Sequence, residues 1–380
     1  MTTTQPTVRL TTPPEIVRAI PSLLGFHPRS SLVVLGLAGR RLRLRMTMRV
    51  DLPPPGLEAV VAEQVAARLS AEDVCACVVV LFTADFDVSQ DVEPARARGH
   101  LPGAAAAYAA QKALRGAGLE VRELLRAESG RWWSYSCDGP CCPPDGLGVE
   151  EGPATLLDVL RVASGRPVFA DRSQLVASVE RDPDEPTEAL LVAIREREYA
   201  LAGVPPGRRA ARDLTDLHTL LRRGSEVAPA DSTPADSTPA DSTPDDSARA
   251  YSDRTIAFVA VALTHLAVRD ASFAWTSGPL ADTAVSLWGQ IVRRVPAPYA
   301  AGPATLLAVS AYRRGDGALA DACLRRALDD DPDYRMAGLV LTSLKSGFRP
   351  TDVESALGLD GAGSGSARSA PSPDGGADAR

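Results

Sequence analysis

Val74-Cys75-Ala76-Cys77-Val78-Val79-Val80-Leu81-Phe82 is an uninterrupted apolar run, dense in β-branched residues. A strand with one wet face alternates polar and apolar side chains; a run with no polar position must bury both faces. It therefore predicts a central strand in a sheet covered on each side, and so an α/β fold. Upstream, residues 31–37 form a second short apolar strand, followed by a turn around Gly39. Residues 41–51 alternate strictly: Leu42, Leu44, Met46, Met48 and Val50 against Arg41, Arg43, Arg45, Thr47 and Arg49. That pattern predicts a hairpin with one buried face.

Helices are expected around these strands. Pro13-Pro14 opens an apolar pattern through Ile16, Ile20 and Leu24 that Gly25 ends, with a break or kink expected at Pro21. Leu57, Val61, Val65 and Leu69 share one helical face. Residues 103–114 are an alanine-rich helix up to Gly116, and residues 119–127 and 131–137 form a second hairpin around Ser129-Gly130. The whole reads as a mixed sheet with packed helices. Beyond Cys142, helical patterns cover residues 154–163, 173–180, 188–201 and 208–223.

The sharpest boundary follows. From Pro229 the unit Pro-Ala-Asp-Ser-Thr repeats three times and ends in Pro244, with no large apolar side chain to offset the entropy of ordering. The expected organisation is an α/β domain with a helical extension over 8–223, a disordered linker over 224–250, a helical domain over 251–357 and a disordered tail over 358–380. Residues 312–334 of the helical domain resemble one tetratricopeptide unit, with Gly315 and Asp316 at the turn, Ala320 and Ala327 at close-packing positions and Pro332 at the unit end.

Composition narrows the function classes. Hydrophobic residues make up 45% and charged residues 23%, enough for a real core. A net charge of −7 argues against a nucleic-acid partner. A polar N-terminus and no apolar run of membrane-spanning length lead to the expectation of a cytoplasmic protein with no membrane partner. Thiols stay reduced there, so the six cysteines are not read as a disulfide framework. No phosphate loop, His-Glu-x-x-His or Gly-x-Ser-x-Gly motif occurs, which leans against an enzyme.

Two clusters carry candidate chemistry. Cys137-Asp-Gly-Pro-Cys141-Cys142-Pro-Pro packs three thiols into a loop stiffened by prolines, which suits zinc. Cys75, Cys77 and His100 are the candidate further donors. Reversible pairing of Cys137 with Cys141 or Cys142 is the redox alternative, and thiols acting as small buried hydrophobes the structural one. The second cluster joins His27, Arg29 and Ser30 to Arg49 and Asp51 at one sheet edge. It suits a phosphate or carboxylate, with Asp51 orienting His27 as a base. The plain alternative is a turn set by Pro28 with Arg49 paired to Asp51 or solvent. The stripe of Arg41, Arg43, Arg45 and Arg49 suits a polyanion or an acidic partner helix, or is simply a solvated or edge-protecting face.

Gly25-Phe26-His27-Pro28-Arg29-Ser30-Ser31, Arg49-Val50-Asp51-Leu52-Pro53, Trp132-Trp133-Ser134-Tyr135-Ser136-Cys137 running into Cys141-Cys142-Pro143-Pro144, and Arg293-Arg294-Val295-Pro296 with Pro298-Tyr299-Ala300 stand together in one chain. This set resembles an uncharacterised actinobacterial family known as domain of unknown function 4192. The resemblance implies an actinobacterial source and brings no activity, cofactor or partner with it. The functional expectation is a non-catalytic adaptor or regulatory protein that grips a protein partner through its helical domain. Its competitors are an anion-binding domain or enzyme built on His27, Arg29 and Arg49, and a thiol or zinc site at Cys137, Cys141 and Cys142.

Overall fold

The computed structural model describes residues 8–83, 101–137, 139, 141–149, 155–163, 166–226, 251–349, 351–352 and 355. The chain divides into two compact units, the first comprising Met1–Ser178 with Asp316–Leu319, the second Val179–Gly315 with Ala320–Arg380.

The first unit is built on a six-stranded mixed sheet. Its strands are β1 (Ser31–Ala38), β2 (Arg43–Asp51), β3 (Ala76–Phe82), β4 (Glu120–Glu128), β5 (Arg131–Ser134) and β6 (Leu147–Gly148), in the order β2-β1-β3-β4-β5-β6. Among the described strands only β3 and β4 pair in parallel, and helix α3 (Ala104–Gly116) lies between them in sequence. Side chains alternate across the sheet. Leu32, Val34, Cys77, Val79, Leu81 and Leu124 face a layer made by α2 (Glu58–Ser70) and α3. Val33, Leu35, Val78, Val80 and Leu125 are buried on the opposite face. There α1 (Pro13–Leu24) packs against β4 and β5. The double burial of β3 is what its unbroken apolar run requires. Alanine at 104, 106, 107 and 110 lets α3 approach closely.

Local chemistry explains the boundaries. Thr12 and Glu15 form a capping box at the start of α1, and Gly25 stops the helix at φ 86°. Pro21 forfeits one backbone bond, yet the helix runs through it to Leu24, so the expected break does not occur. The alternation of residues 41–51 is also only partly realised. Leu42 sits in the turn at φ 48°, a register shift falls between Gly36 and Leu37, and Leu44 is 43% exposed. Arg45 is the extra residue, opposite no partner on β1, so the inward face of β2 is restricted to Met46, Met48 and Val50. Ser129 and Gly130, both at positive φ, make the two-residue turn that pairs Glu128 with Arg131. Two short helices complete this unit, α4 (Leu156–Ala163) and α5 (Arg172–Ala177).

The second unit is helical: α6 (Glu188–Leu201), α7 (Pro206–Glu226), α8 (Asp253–Leu263), α9 (Leu266–Ser272) with a 3-10 turn at Phe273–Thr276, α10 (Ala281–Arg294), α11 (Ala301–Arg313), α12 (Gly317–Asp330) from Ala320 onward, and α13 (Arg335–Ser346). Helix α11 is buried from Ala301 to Ala311 and is therefore apolar or small all round, against α8, α10 and α13. Ala320 and Ala327 are buried along α12. The sequence reading attached α6 and α7 to the α/β domain. They group instead with the second unit, because their apolar sides meet α8, α9 and α10. Gly224, Ser225 and Glu226, expected in the linker, finish α7; residues 227–250 and the tail after 355 lie outside the described residues. No single described helix is long and apolar enough to cross a membrane.

Candidate metal and thiol site

The hairpin β4–β5 positions the cysteine loop. Its tight turn pairs Arg126 with Trp133 and Ala127 with Trp132, so the two tryptophans point to opposite faces. Trp132 is buried. Trp133 is a clamp. On one side the Arg126 guanidinium lies 4.2 Å from its ring centroid. On the other, Gly146 sits so close that a Cβ there would come 2.4 Å from the ring. Trp133 Nε1 donates to the Pro144 carbonyl at 2.9 Å. Arg131 adds two bonds, from Nε to the Asp145 carbonyl (2.6 Å) and from Nη2 to the Gly146 carbonyl (2.9 Å). The chain then returns to the sheet as β6, beside Arg131 and Trp132.

Between these anchors the three sulfurs converge. All lie within 4.8 Å of one another, and the Cys137 and Cys141 Sγ atoms are 3.3 Å apart. Cys142 N donates to the Gly139 carbonyl at 3.1 Å, folding the loop over. Gly139 carries no side chain at the one place where a Cβ would stand 3.2 Å from Cys141 Sγ and 3.7 Å from Cys137 Sγ. Cys141 is exposed, while Cys137 and Cys142 are half-buried. Burial first, and then the neighbouring Cys137 and Cys141 thiols, push the Cys142 thiol up to about 12. The Cys142 thiol therefore resists losing its proton unless a cation takes up the charge.

The expected further donors are elsewhere. Strand β3 begins at Ala76, so Cys75 stands outside it, exposed, with its sulfur 3.5 Å from the Leu37 carbonyl. Cys77 is buried in the core under α2 and α3, and burial pushes its thiol up to about 12. Strand β4 separates both from β5, a displacement of about 10 Å at the usual strand spacing. Among the described residues no fourth ligand joins the three sulfurs. His100 lies outside the described residues.

The second cluster assembles, and in the self-paired form. Ser31 and Asp51 are register partners. Arg49 donates from Nε to Ser31 Oγ at 2.8 Å and meets Asp51 at 2.6 Å. Ser31 Oγ donates in turn to the Arg29 carbonyl at 2.5 Å. Ser31 supplies the hydroxyl that Arg49 reaches, and the neighbouring Ser30, at φ 40°, is a turn residue. Burial lowers the Arg49 guanidinium pKa, with Asp51 opposing and Arg172 assisting. His27 is exposed and held by its backbone, its N–H donating to the Phe169 carbonyl at 3.0 Å. Asp51 thus serves Arg49, and the cluster ties β1 to β2.

Sequence reasoning missed Arg126. It is buried in β4, donates to Thr83 Oγ1 at 2.9 Å, pairs with Glu128 and supports Trp133. The two-residue turn would have revealed it, because that turn fixes Arg126 opposite Trp133.

A layered α/β unit bearing a pinned three-cysteine loop, in one chain with a helical unit, is the class this architecture defines. A family model described as a domain of unknown function (DUF4192) matches residues 13–351, and the chain belongs to that family. Comparison with curated proteins and with solved structures found no match.

Proposed function

We propose that this chain is a non-catalytic zinc-binding protein whose cysteine loop supplies three thiolates to the ion. The observation that carries the reading is the spacing of the sulfurs. A tetrahedral zinc with Zn–S bonds of about 2.3 Å needs sulfurs about 3.8 Å apart. The loop holds the Cys137 and Cys141 sulfurs 3.3 Å apart and all three within 4.8 Å of one another, on a backbone pinned by Trp133 and Arg131. Three thiolates leave one tetrahedral position for a further donor. The test is metal analysis of protein purified without chelators, with cobalt(II) substituted to read sulfur-to-metal charge transfer. The expected result is about one ion per chain, abolished in Cys142→Ser. Metal-free protein that also takes up no cobalt on thiolate ligands overturns the reading.

A second role, docking of a protein partner, is favoured by one observation on the helical unit. Leu339 and Phe348, 64% and 54% exposed, stand on and just after α13, where the end of a tetratricopeptide-like array would carry polar residues. Co-purification from a reducing, cytoplasmic extract tests this adaptor reading. It is upheld if a stoichiometric partner is lost in Leu339→Asp with the melting temperature unchanged, and overturned if binding survives both Leu339→Asp and Phe348→Ser.

A further inference from the structure

We infer that Cys137 and Cys141 form a reversible disulfide that opens the metal centre, making the loop a thiol-redox switch. The release half of this inference rests on the zinc reading; the disulfide half stands on geometry alone. The two sulfurs are 3.3 Å apart, and Gly139, between them in sequence, presents only hydrogen where a side chain would crowd the Cys141 sulfur. Cys142 is the poorer partner for Cys141, since adjacent cysteines bridge only with strain. The three positions are also unlike in access. Cys141 is exposed, whereas Cys137 and Cys142 are half-buried.

The oxidant this arrangement takes is a small disulfide of the glutathione class. The Cys141 thiolate attacks one sulfur of that disulfide, forming a mixed disulfide and expelling one small thiolate, which takes up a proton from solvent. The Cys137 thiolate then attacks Cys141 Sγ. The mixed bond breaks, the Cys137–Cys141 bond forms, and the second small thiolate leaves and takes a second proton from solvent. Two protein thiolates are oxidised, and one small disulfide with two protons from solvent is reduced to two thiols. Zinc keeps its oxidation state but loses two of three sulfur ligands, and Cys142 alone does not hold it. Reduction by a dithiol reverses each step.

The experiment equilibrates the full chain in buffers of reduced and oxidised glutathione without air. Alkylation and mass spectrometry locate the bridge, and a coloured chelator reads free zinc. The inference expects a Cys137–Cys141 bridge, loss of about one zinc per chain along the same curve, and rebinding on reduction. Cys142→Ser is expected to bind little metal and still form the bridge; Cys141→Ser is expected to form none. A bridge that forms in natively purified chain, when the fully reduced chain holds no zinc and takes up none, upholds the switch pair and sinks the metal reading. Bound zinc, with Cys137 and Cys141 still alkylated separately after zinc is stripped and oxidised glutathione is in large excess, overturns the switch and leaves the metal reading intact.

Discussion

Gly130 and Gly146 hold almost the same backbone angle, φ 72° and 71°, yet they are glycine for different reasons. Around Gly130 there is open space, so alanine there meets only the left-handed strain. At Gly146 the missing Cβ is the room that the Trp133 ring occupies. Gly130→Ala should lower stability by about 1 kcal/mol and leave metal binding unchanged. Gly146→Ala adds a collision, should cost about 2–4 kcal/mol, and should lose the zinc because the loop lifts off its clamp. Denaturant unfolding and metal analysis of both variants check this pair, and equal costs would refute the clamp. Thiol chemistry gives a second test at the same scale. Cys75 and Cys141 are exposed, Cys77 and Cys323 buried, and burial holds the Cys77 thiol up to about 12. In metal-stripped native protein, iodoacetamide should label Cys75 and Cys141 first and reach Cys77 and Cys323 only on unfolding. Early labelling of Cys77 would contradict the placement of β3.

Among the elements, α10 shows what the paired arginines of the family motif do. Arg294 donates to Glu185 Oε1 at 2.7 Å and to the Tyr251 carbonyl at 2.8 Å, and also meets Asp253 at the first turn of α8. Its neighbour Arg293 reaches Asp182, at 2.9 Å, in a half-exposed pair. Truncating Arg294 strands two carboxylates in a largely covered place and should cost about 3 kcal/mol. Truncating Arg293 should cost about 1 kcal/mol or less, as solvent and salt screen an open pair. Thermal melts of the two alanine variants check the ranking, and the reverse order would contradict it. Much at this scale was legible in the sequence. The run from Val74 to Phe82 demanded a doubly buried strand, and β3 is one. What pattern could not show was the bulge at Arg45, since strict alternation gives every residue of the strand a partner and a register shift leaves one without. Nor could it show that the apolar sides of α6 and α7 meet α8, α9 and α10. Amphipathic helices declare that they bury a face, not against what.

For the molecule as a whole, two cores mean that unfolding need not be a single transition. The metal reading adds a direction: a ligand stabilises only the unit that binds it. Chelation should therefore lower the calorimetric transition of the α/β unit and leave that of the helical unit unmoved, and a shift of the helical transition alone would contradict it. The candidate site was legible in part for a simple reason. Cys137, Cys141 and Cys142 are close in sequence, so a short loop suffices to bring them together. Cys75 and Cys77 depended on strand order, and β4 lies between them and the loop. The most direct measurement is X-ray absorption at the zinc edge of the natively purified chain. Three sulfur neighbours at about 2.3 Å are expected, falling to two or fewer in Cys142→Ser. A shell of nitrogen and oxygen only, or no zinc edge at all, would contradict the metal centre.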